Sequence, residues 1–228
     1  MGHSYYGVQN KVHKPDINGK GELIGNGRNV FMGYQKDEEK TKKAFTDDYW
    51  YLTGDLATIS DDDFITIAGR SKELIITAGG ENIAPVPIED NIKEELPSVV
   101  SNVVVVGEKR KYLTALLTLK VNACQMSLQP TDELQPSVLE WAKKVGVGNI
   151  KTVQDFLDGP AAQVLRSAIQ EGFDRANGRA VSNAAKIQKF EILPNDFSIQ
   201  SGELGPTTKL KRFYVYEKYQ PEINRMYA

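Results

Sequence analysis

The sequence predicts an α+β (mixed α/β) protein: a β-rich first third, then small sheets flanked by helices. Three observations predict it. Residues 1–35 alternate polar and apolar around glycines, as in "GKGELIGNGRNVFMGY", the pattern of short strands joined by glycine turns. The middle of the chain holds two dense β-branched and aliphatic runs, "VVSNVVVVG" (99–107) and "YLTALLTLKV" (112–121). Around them apolar residues recur at spacing four, the helical period: Ile88, Ile92 and Leu96, then Leu165, Ile169 and Phe173.

The elements follow in chain order. "KDEEKTKKAF" (36–45) is charged and helix-prone. "WYLTGDLATI" is expected to be a strand broken by Gly54, followed by a turn at "SDDD" and a second strand "FITIAGR", with Phe64, Ile65 and Ile67 as its apolar members. "KELIITAGG" reads as a short strand running into a loop. Pro85 and Pro87 are expected to precede a helix over "IEDNIKEEL", which Pro97 ends. The two central runs form a hairpin across "EKRK". Helical period returns in "PSVLEWAKKVG", "NIKTVQDFLDG" and "AAQVLRSAIQEGFDRAN". "KIQKFEIL" (186–193) alternates as a strand. "SGELGPTTKLKR" is a glycine-proline loop, and "RFYVYEKYQPEINRMY" is a helix interrupted near Pro221. The pattern changes near Arg70–Lys72, so the predicted domains are 1–71 and 72–228.

Composition narrows the function classes. Lys+Arg 28 against Asp+Glu 30 leaves a net charge of -2, which calls for neither nucleic acid nor a strongly anionic membrane. No apolar run approaches the roughly 20 residues of a transmembrane helix. No signal peptide is read, since Met1 is followed by polar and aromatic residues. The single cysteine, Cys124, permits no intrachain disulfide and fits a reducing compartment. It is read as a packed hydrophobe rather than a nucleophile. His3 and His13 are the only histidines, which argues against a histidine-based metal site or base. No metal ligand is assigned.

Several residues carry chemistry that the fold does not need. Asp55, behind Thr53-Gly54, offers two acceptor oxygens suited to the vicinal hydroxyls of a ribose. Its plain alternative is a turn aspartate. Arg70 presents forked donors for a ribose or phosphate oxygen, or else an ion pair with the "DDD" turn. Lys72 reads equally as a solvated charge. Gly79 and Gly80 let backbone approach a ligand closely, or simply turn. Lys209, on the loop after Gly205-Pro206, carries an ammonium able to offset charge on a phosphate, or one that faces solvent.

Taken together and in order, "WYLTGD", "GRSKELI", "GGENIAPVPIE" and "PTTKLKR" resemble the adenylate-forming superfamily of acyl-CoA synthetases, luciferases and peptide-synthetase adenylation domains. "GRSKELIITAGGENIAPVPIED" and "GELGPTTKLKR" look most like bubblegum-type long-chain fatty acyl-CoA synthetases, and the resemblance runs from about residue 20 to the end. It implies a C-terminal portion of such a ligase: residues 1–71 as a β-rich tail of the N-terminal adenylation domain, and residues 72–228 as the mobile C-terminal domain. The implied reaction is fatty acid plus ATP plus CoA giving acyl-CoA, AMP and pyrophosphate through an acyl-adenylate. The implied cofactors are ATP/AMP, CoA and Mg, with the Mg ligands outside this chain.

By the same resemblance Asp55 and Arg70 bind the nucleotide, and Lys72 is the hinge. Lys209 is the adenylation lysine, and Gly79, Gly80, Glu81 and Asn82 line the CoA channel. The chain alone is expected to be inactive, because the family's phosphate loop and acyl pocket lie upstream. A protein partner is expected over residues 1–71, in an intracellular setting: cytoplasmic, peripheral on an organelle membrane, or inside an organelle assembly. The chain departs from the family at turns. Tyr49 and Asp63 stand where the family usually has glycine, and Thr208 stands where luciferases and peptide synthetases do. Two other classes stay open: a truncated non-catalytic paralogue (a pseudoenzyme) serving as a structural subunit of a larger assembly, and a nucleotide-binding regulatory module.

Overall fold

Alternating strands and glycine turns build a five-stranded antiparallel sheet from the first third of the chain, in a computed structural model that describes residues 2–127 and 129–228. Met1, and with it the reading of the chain's first residue, lies outside the described residues. The strands are β1 (Gly2–His3), β2 (Val8–His13), β3 (Gly21–Gly27), β4 (Tyr51–Ile59) and β5 (Phe64–Arg70). Their order in the sheet is β1-β5-β4-β3-β2. Helix α1 (Glu38–Lys43) starts at Asp37, whose carboxylate accepts from the Lys40 amide. Its first turn is acidic and its last is basic, as the helix dipole favours.

Strand β4 is not broken at Gly54, as the sequence suggested; it runs through it. Gly54 takes φ +78, which only glycine adopts without strain. Ile24 pairs with Leu52 and Glu22 with Leu56, so Thr53, Gly54 and Asp55 bulge opposite Leu23 alone. The strand bends there without ending.

The rest of the chain wraps a three-stranded sheet. In order it holds β6 (Ile75–Ile76), β7 (Asn82–Ile83), α2 (Pro85–Glu95), β8 (Val100–Val106), β9 (Leu113–Leu119), β10 (Val121–Ala123) and β11 (Pro130–Leu134). Then come α3 (Pro136–Lys144), α4 (Val153–Asp158), α5 (Ala162–Gly178), β12 (Ile187–Ile192), α6 (Arg212–Lys218) and α7 (Gln220–Tyr227). The chain divides into two compact units, Met1–Leu74 and Ile75–Ala228.

In the second unit the expected β8–β9 hairpin forms, and β12 adds parallel to β9. Both faces of this sheet are covered. Val103, Val105, Ala115 and Leu117 pack with Ile92, Leu96, Leu165, Ile169 and Phe173 on one side. Val104, Val106 and Leu116 pack with Val215, Ile223 and Met226 on the other. Two covered faces explain why the runs are continuously apolar rather than alternating. The prolines Pro85 and Pro87 lie inside the first turn of α2 rather than before it. Amides in that turn have no helical partner, so proline costs nothing there. The closing helix is interrupted at Tyr219, and Pro221 sits in the first turn of α7. The short β10–β11 pair was not visible in the sequence, because Pro130 and polar neighbours hide its pattern. Cys124 is half-buried at its turn and outside the core, a correction to its reading as a packed hydrophobe.

All three turn departures from the family share one conformation. Tyr49, Asp63 and Thr208 take φ +62, +60 and +59. Glycine reaches that region freely, and a bulky or β-branched residue is strained there.

Gly172 on α5 marks a close approach. A methyl group there would lie 2.6 Å from the Cδ2 and Cγ of Leu96, which is itself fully buried. We expect Gly172→Ala to lower the unfolding free energy by about 1–3 kcal/mol, despite alanine's better helix propensity. Urea denaturation measures it; an unchanged midpoint would show that α5 moves away freely.

Candidate functional site

The β4 bulge decides where Asp55 sits. The Gly54 amide donates to the Glu22 carboxylate at 2.9 Å, and the Asp55 amide donates to the Thr53 hydroxyl at 3.1 Å. The Ser71 hydroxyl donates to the Gly54 carbonyl at 3.1 Å. Asp55 pairs in register with Arg70 on β5, and the Arg70 Nε donates to Asp55 Oδ1 at 3.1 Å. Arg70 therefore pairs with Asp55 and not with the Asp61–Asp63 turn. The side chains remain 61% and 32% exposed, and a pair so open to water is worth about 0–1 kcal/mol. Asp55 Oδ2 has no hydrogen-bond partner among the described residues. The two groups thus present a free acceptor and free Nη donors side by side, the chemistry that suits a polyol carrying a phosphate.

Lys72 is exposed on the 3-10 turn Ser71–Glu73, with no ion pair among the described residues. Arg70 and Ser71 flank its start, so the same short stretch contributes to both the pair and the bulge.

Gly79, Gly80, Glu81 and Asn82 close the turn between β6 and β7. The turn closes through Gly80 N–H to the Thr77 carbonyl (2.9 Å) and Thr77 N–H to the Glu81 carbonyl (3.1 Å). Gly80 takes φ +80, and all four residues are exposed. The turn is docked on the β8–β9 hairpin: Ala78 N–H donates to Arg110, and Lys109 N–H to Ile76. The result is a bare, anchored strip of backbone.

Lys209 sits on the loop closed by the Leu204–Leu210 bridge. The Gly205 amide donates to the Lys209 carbonyl and the Thr208 amide to the Gly205 carbonyl, both at 2.8 Å. The Lys209 side chain is exposed and makes no ion pair or hydrogen bond among the described residues. Asp55 and Arg70 are brought together in the first unit; Lys209 and the Gly79–Asn82 turn belong to the second.

The sequence reading missed the groups that hold this loop. Glu203 lies at its first stem, with 1% of its side chain exposed. Its carboxylate accepts from Lys218 Nζ (2.7 Å), from the Tyr219 hydroxyl (2.8 Å) and from the Ser201 hydroxyl. Burial pushes this carboxyl up, but the hydrogen bonds from Lys218 and Ser201 outweigh it and bring it down to about 2. Arg212 lies at the second stem and forks onto Glu89 of α2, Nη1 to Oε1 at 2.6 Å and Nη2 to Oε2 at 3.0 Å. Both are nearly excluded from water, with 11% and 8% of the side chains exposed. Glu89 Oε1 also accepts the Val105 amide at 2.8 Å. Beside them Tyr216 donates to the Val105 carbonyl, and burial pushes its phenol up to about 12. A signal for Glu89 was present: it stands three residues before Ile92 and seven before Leu96, on the apolar stripe of α2. Nothing comparable marked Glu203.

The Glu203 carboxyl is held below its ordinary value, so its contribution to stability is full above about 4.5 and fades as pH falls toward 2. We expect Glu203→Gln to flatten the loss of stability across that window while lowering stability at pH 7. Denaturation midpoints at several pH values check it, and an unchanged acid slope would contradict it.

Residues 72–146 match the family described as AMP-binding enzyme C-terminal domain. The long-chain-fatty-acid–CoA ligase ACSBG2 of Gallus gallus is 48% identical over 222 residues, 97% of this chain and 29% of that protein. The long-chain-fatty-acid–CoA ligase heimdall of Drosophila melanogaster is 42% identical over 245 residues, 99% of this chain and 36% of that protein. Among solved structures, the adenylation domain of a carboxylate reductase from Mycobacterium chelonae superposes with a TM-score of 0.69 at 23% identity, covering 91% of this chain and 28% of that one. ATP-bound MatB from Rhodopseudomonas palustris gives 0.59 at 25% identity, over 96% of this chain and 35% of that one. The chain thus spans about a third of the length of the curated relatives it matches. Sequence and fold agree: this chain has the mixed α/β fold of the C-terminal part of the adenylate-forming enzymes, and it is similar to that part of the bubblegum-type long-chain fatty acid–CoA ligases.

Proposed function

We propose that the chain works as the C-terminal portion of a long-chain fatty acid–CoA ligase, which converts fatty acid, ATP and CoA into acyl-CoA, AMP and pyrophosphate. The observation that carries this reading is the continuous match, over 97% of the chain at 48% identity, to a ligase of that name. On this reading Asp55 accepts from the ribose hydroxyls of ATP and then of the acyl-adenylate. Its unpartnered Oδ2 supports that role. Arg70 holds Asp55 in place and turns its remaining donors toward the same ribose-phosphate region. Lys209 donates to the α-phosphate and the attacking carboxylate, and its exposed, unpaired ammonium on a closed loop supports that. The bare Gly79–Asn82 turn lies along the path of CoA. Lys72, beside the division between the two units, is the pivot about which the second unit turns between half-reactions. Mg²⁺, when bound, neutralises phosphate charge; the reading takes its ligands from outside this chain.

The first unit fits a covered setting. Met32 and Tyr49 are 98% and 80% exposed, and β2 is an open edge strand. The reading therefore covers residues 1–71 with further protein and gives the 228 residues alone no ligase activity. Incubation of the purified chain with palmitate, ATP, Mg²⁺ and CoA is expected to yield no palmitoyl-CoA. Turnover near the ordinary enzyme range of ~1–10³ s⁻¹ would overturn the assignment.

Two substitutions test the residue roles in a ligase completed by the upstream region of a relative. Lys209→Ala should slow adenylation by about 10²–10³, the usual cost of one donor at a developing charge, and preformed acyl-adenylate plus CoA should bypass the defect. Equal losses in both half-reactions would count against Lys209. Asp55→Asn should weaken ATP and acyl-adenylate alike, by one to several powers of ten at roughly 1.5–3 kcal/mol for each charged hydrogen bond. Affinities within about twofold of each other for Asp, Asn and Ala at position 55, less than one hydrogen bond is worth, would remove Asp55 from the site.

A further inference from the structure

We propose that Arg212 and Glu203 are positioning residues for Lys209, clamping the two stems of its loop, and that the Arg212–Glu89 pair ties that loop to the frame carrying Gly79–Asn82. The inference rests on the reading of Lys209 as the phosphate-facing ammonium. It adds a device that sets where the ammonium sits.

The geometry is specific. Only Leu204–Lys211 separates the two stem residues, and Glu203 and Arg212 are each buried in an ion pair. The stems are also joined directly, since the Lys211 amide donates to the Glu203 carbonyl at 2.7 Å. On the first side, Glu203 is held by Lys218 and Tyr219, one at the end of α6 and the other just beyond it. On the second side, Arg212 opens α6 and reaches Glu89, in the second turn of α2. Helix α2 begins two residues after β7, so the same carboxylate sits on the element that follows the Gly79–Asn82 turn. Glu89 also takes the amide of Val105, on the edge strand β8 of the covered sheet. A stem of the Lys209 loop, the helix that follows the glycine turn and the edge of the sheet therefore meet at one carboxylate. The loop needs such a clamp, because β-branched Thr208 stands at φ +59 immediately before Lys209. A strained residue persists only where its surroundings over-determine it.

A lysine side chain is flexible, so the placement of its Cα decides whether the ammonium reaches its target. A displacement of about 1 Å at a reacting centre is enough to cost on the order of 10² in rate. Arg212→Lys keeps the charge and loses the fork. Glu203→Gln keeps the shape and loses the charge.

The test has two arms. In the 228-residue chain, hydrogen exchange should show the amides of Gly205, Thr208 and Lys211 losing protection about tenfold or more in each variant, while those of Ala115–Leu117 on the central strand β9 keep theirs. Unchanged protection of the loop overturns the clamp, and general loss across the sheet marks Arg212 and Glu203 as fold residues only. In the completed ligase, Arg212→Lys should slow adenylation by about 10–10² and leave acyl-adenylate plus CoA within about twofold. Added to Lys209→Ala, it should cost nothing more, because both act on one group. Additive losses, or equal losses in the two half-reactions, overturn the positioning role. If Lys209→Ala slows adenylation and Arg212→Lys does not, the positioning role falls alone. If Lys209→Ala is itself silent while the loop loosens on cue, the reading of Lys209 falls and takes the positioning role with it. Should Arg212→Lys fail to fold, Glu203→Gln answers the same questions.

Discussion

One buried ion pair, Arg212 with Glu89, fixes how the helical layers of the second unit meet its sheet. Neither charge could stay in place without the other. Removing one partner of such a pair costs about 3–5 kcal/mol, because the survivor is left charged and dry. Replacing both by well-packed apolar groups is often neutral, so the pair is weak evidence for stability as such. What it supplies is a single geometry. The guanidinium fork accepts one carboxylate orientation, and that carboxylate also takes the Val105 amide. Helix α6, helix α2 and strand β8 are thereby held at one point, from opposite faces of the sheet. Apolar packing alone, with valines and leucines on both faces, would leave sliding and rotation cheap.

Strain and restraint are paired in the Lys209 loop. A non-glycine residue in the left-handed region costs roughly 1–2 kcal/mol. Three such residues, Tyr49, Asp63 and Thr208, stand at turns where the resembling family carries glycine, and the backbone keeps the glycine-like φ at each. The fold evidently holds the turn and accepts the strain. At Asp63 the cost is small, since a short polar side chain tolerates that region. At Thr208 it is largest, because a β-branched side chain crowds its own backbone, and there two ion pairs flank the loop.

How much of this was legible follows from what each signal depends on. The β8–β9 hairpin and helix α5 were plain, since their patterns are long and dense enough to outweigh local exceptions. The start of α2 was misplaced because proline was treated as a stop, when the first helical turn has no amide to lose. Gly54 was read as a break because glycine weakens a strand interior, and only the pairing with β3 reveals a bulge. Asp55, Arg70, Lys209 and the glycine turn stood out through their order along the chain. The partner of Arg70 was not foreseeable, because its separation of 15 positions from Asp55 reveals no register. Glu203 was invisible for a similar reason: its burial comes from Lys218 and Tyr219, far outside any local pattern.

The two kinds of ion pair in this chain divide its labour. The Asp55–Arg70 pair is half open to water and worth little, so a ligand can take either partner without disturbing the sheet. The backbone beneath it is held separately by Glu22, Thr53 and Ser71. The Arg212–Glu89 pair is nearly excluded from water and costly to break. Groups proposed to meet a ligand are thus cheaply released, and the groups that aim them are locked. A ligase that uses one mobile portion for two half-reactions needs that separation. On the proposed reading, contacts are exchanged at each turn of the second unit, while the Lys209 loop and the glycine turn keep their places within it. The energetic gap between a surface pair and a buried one, several kcal/mol, is large enough to let the first open many times before the second opens once.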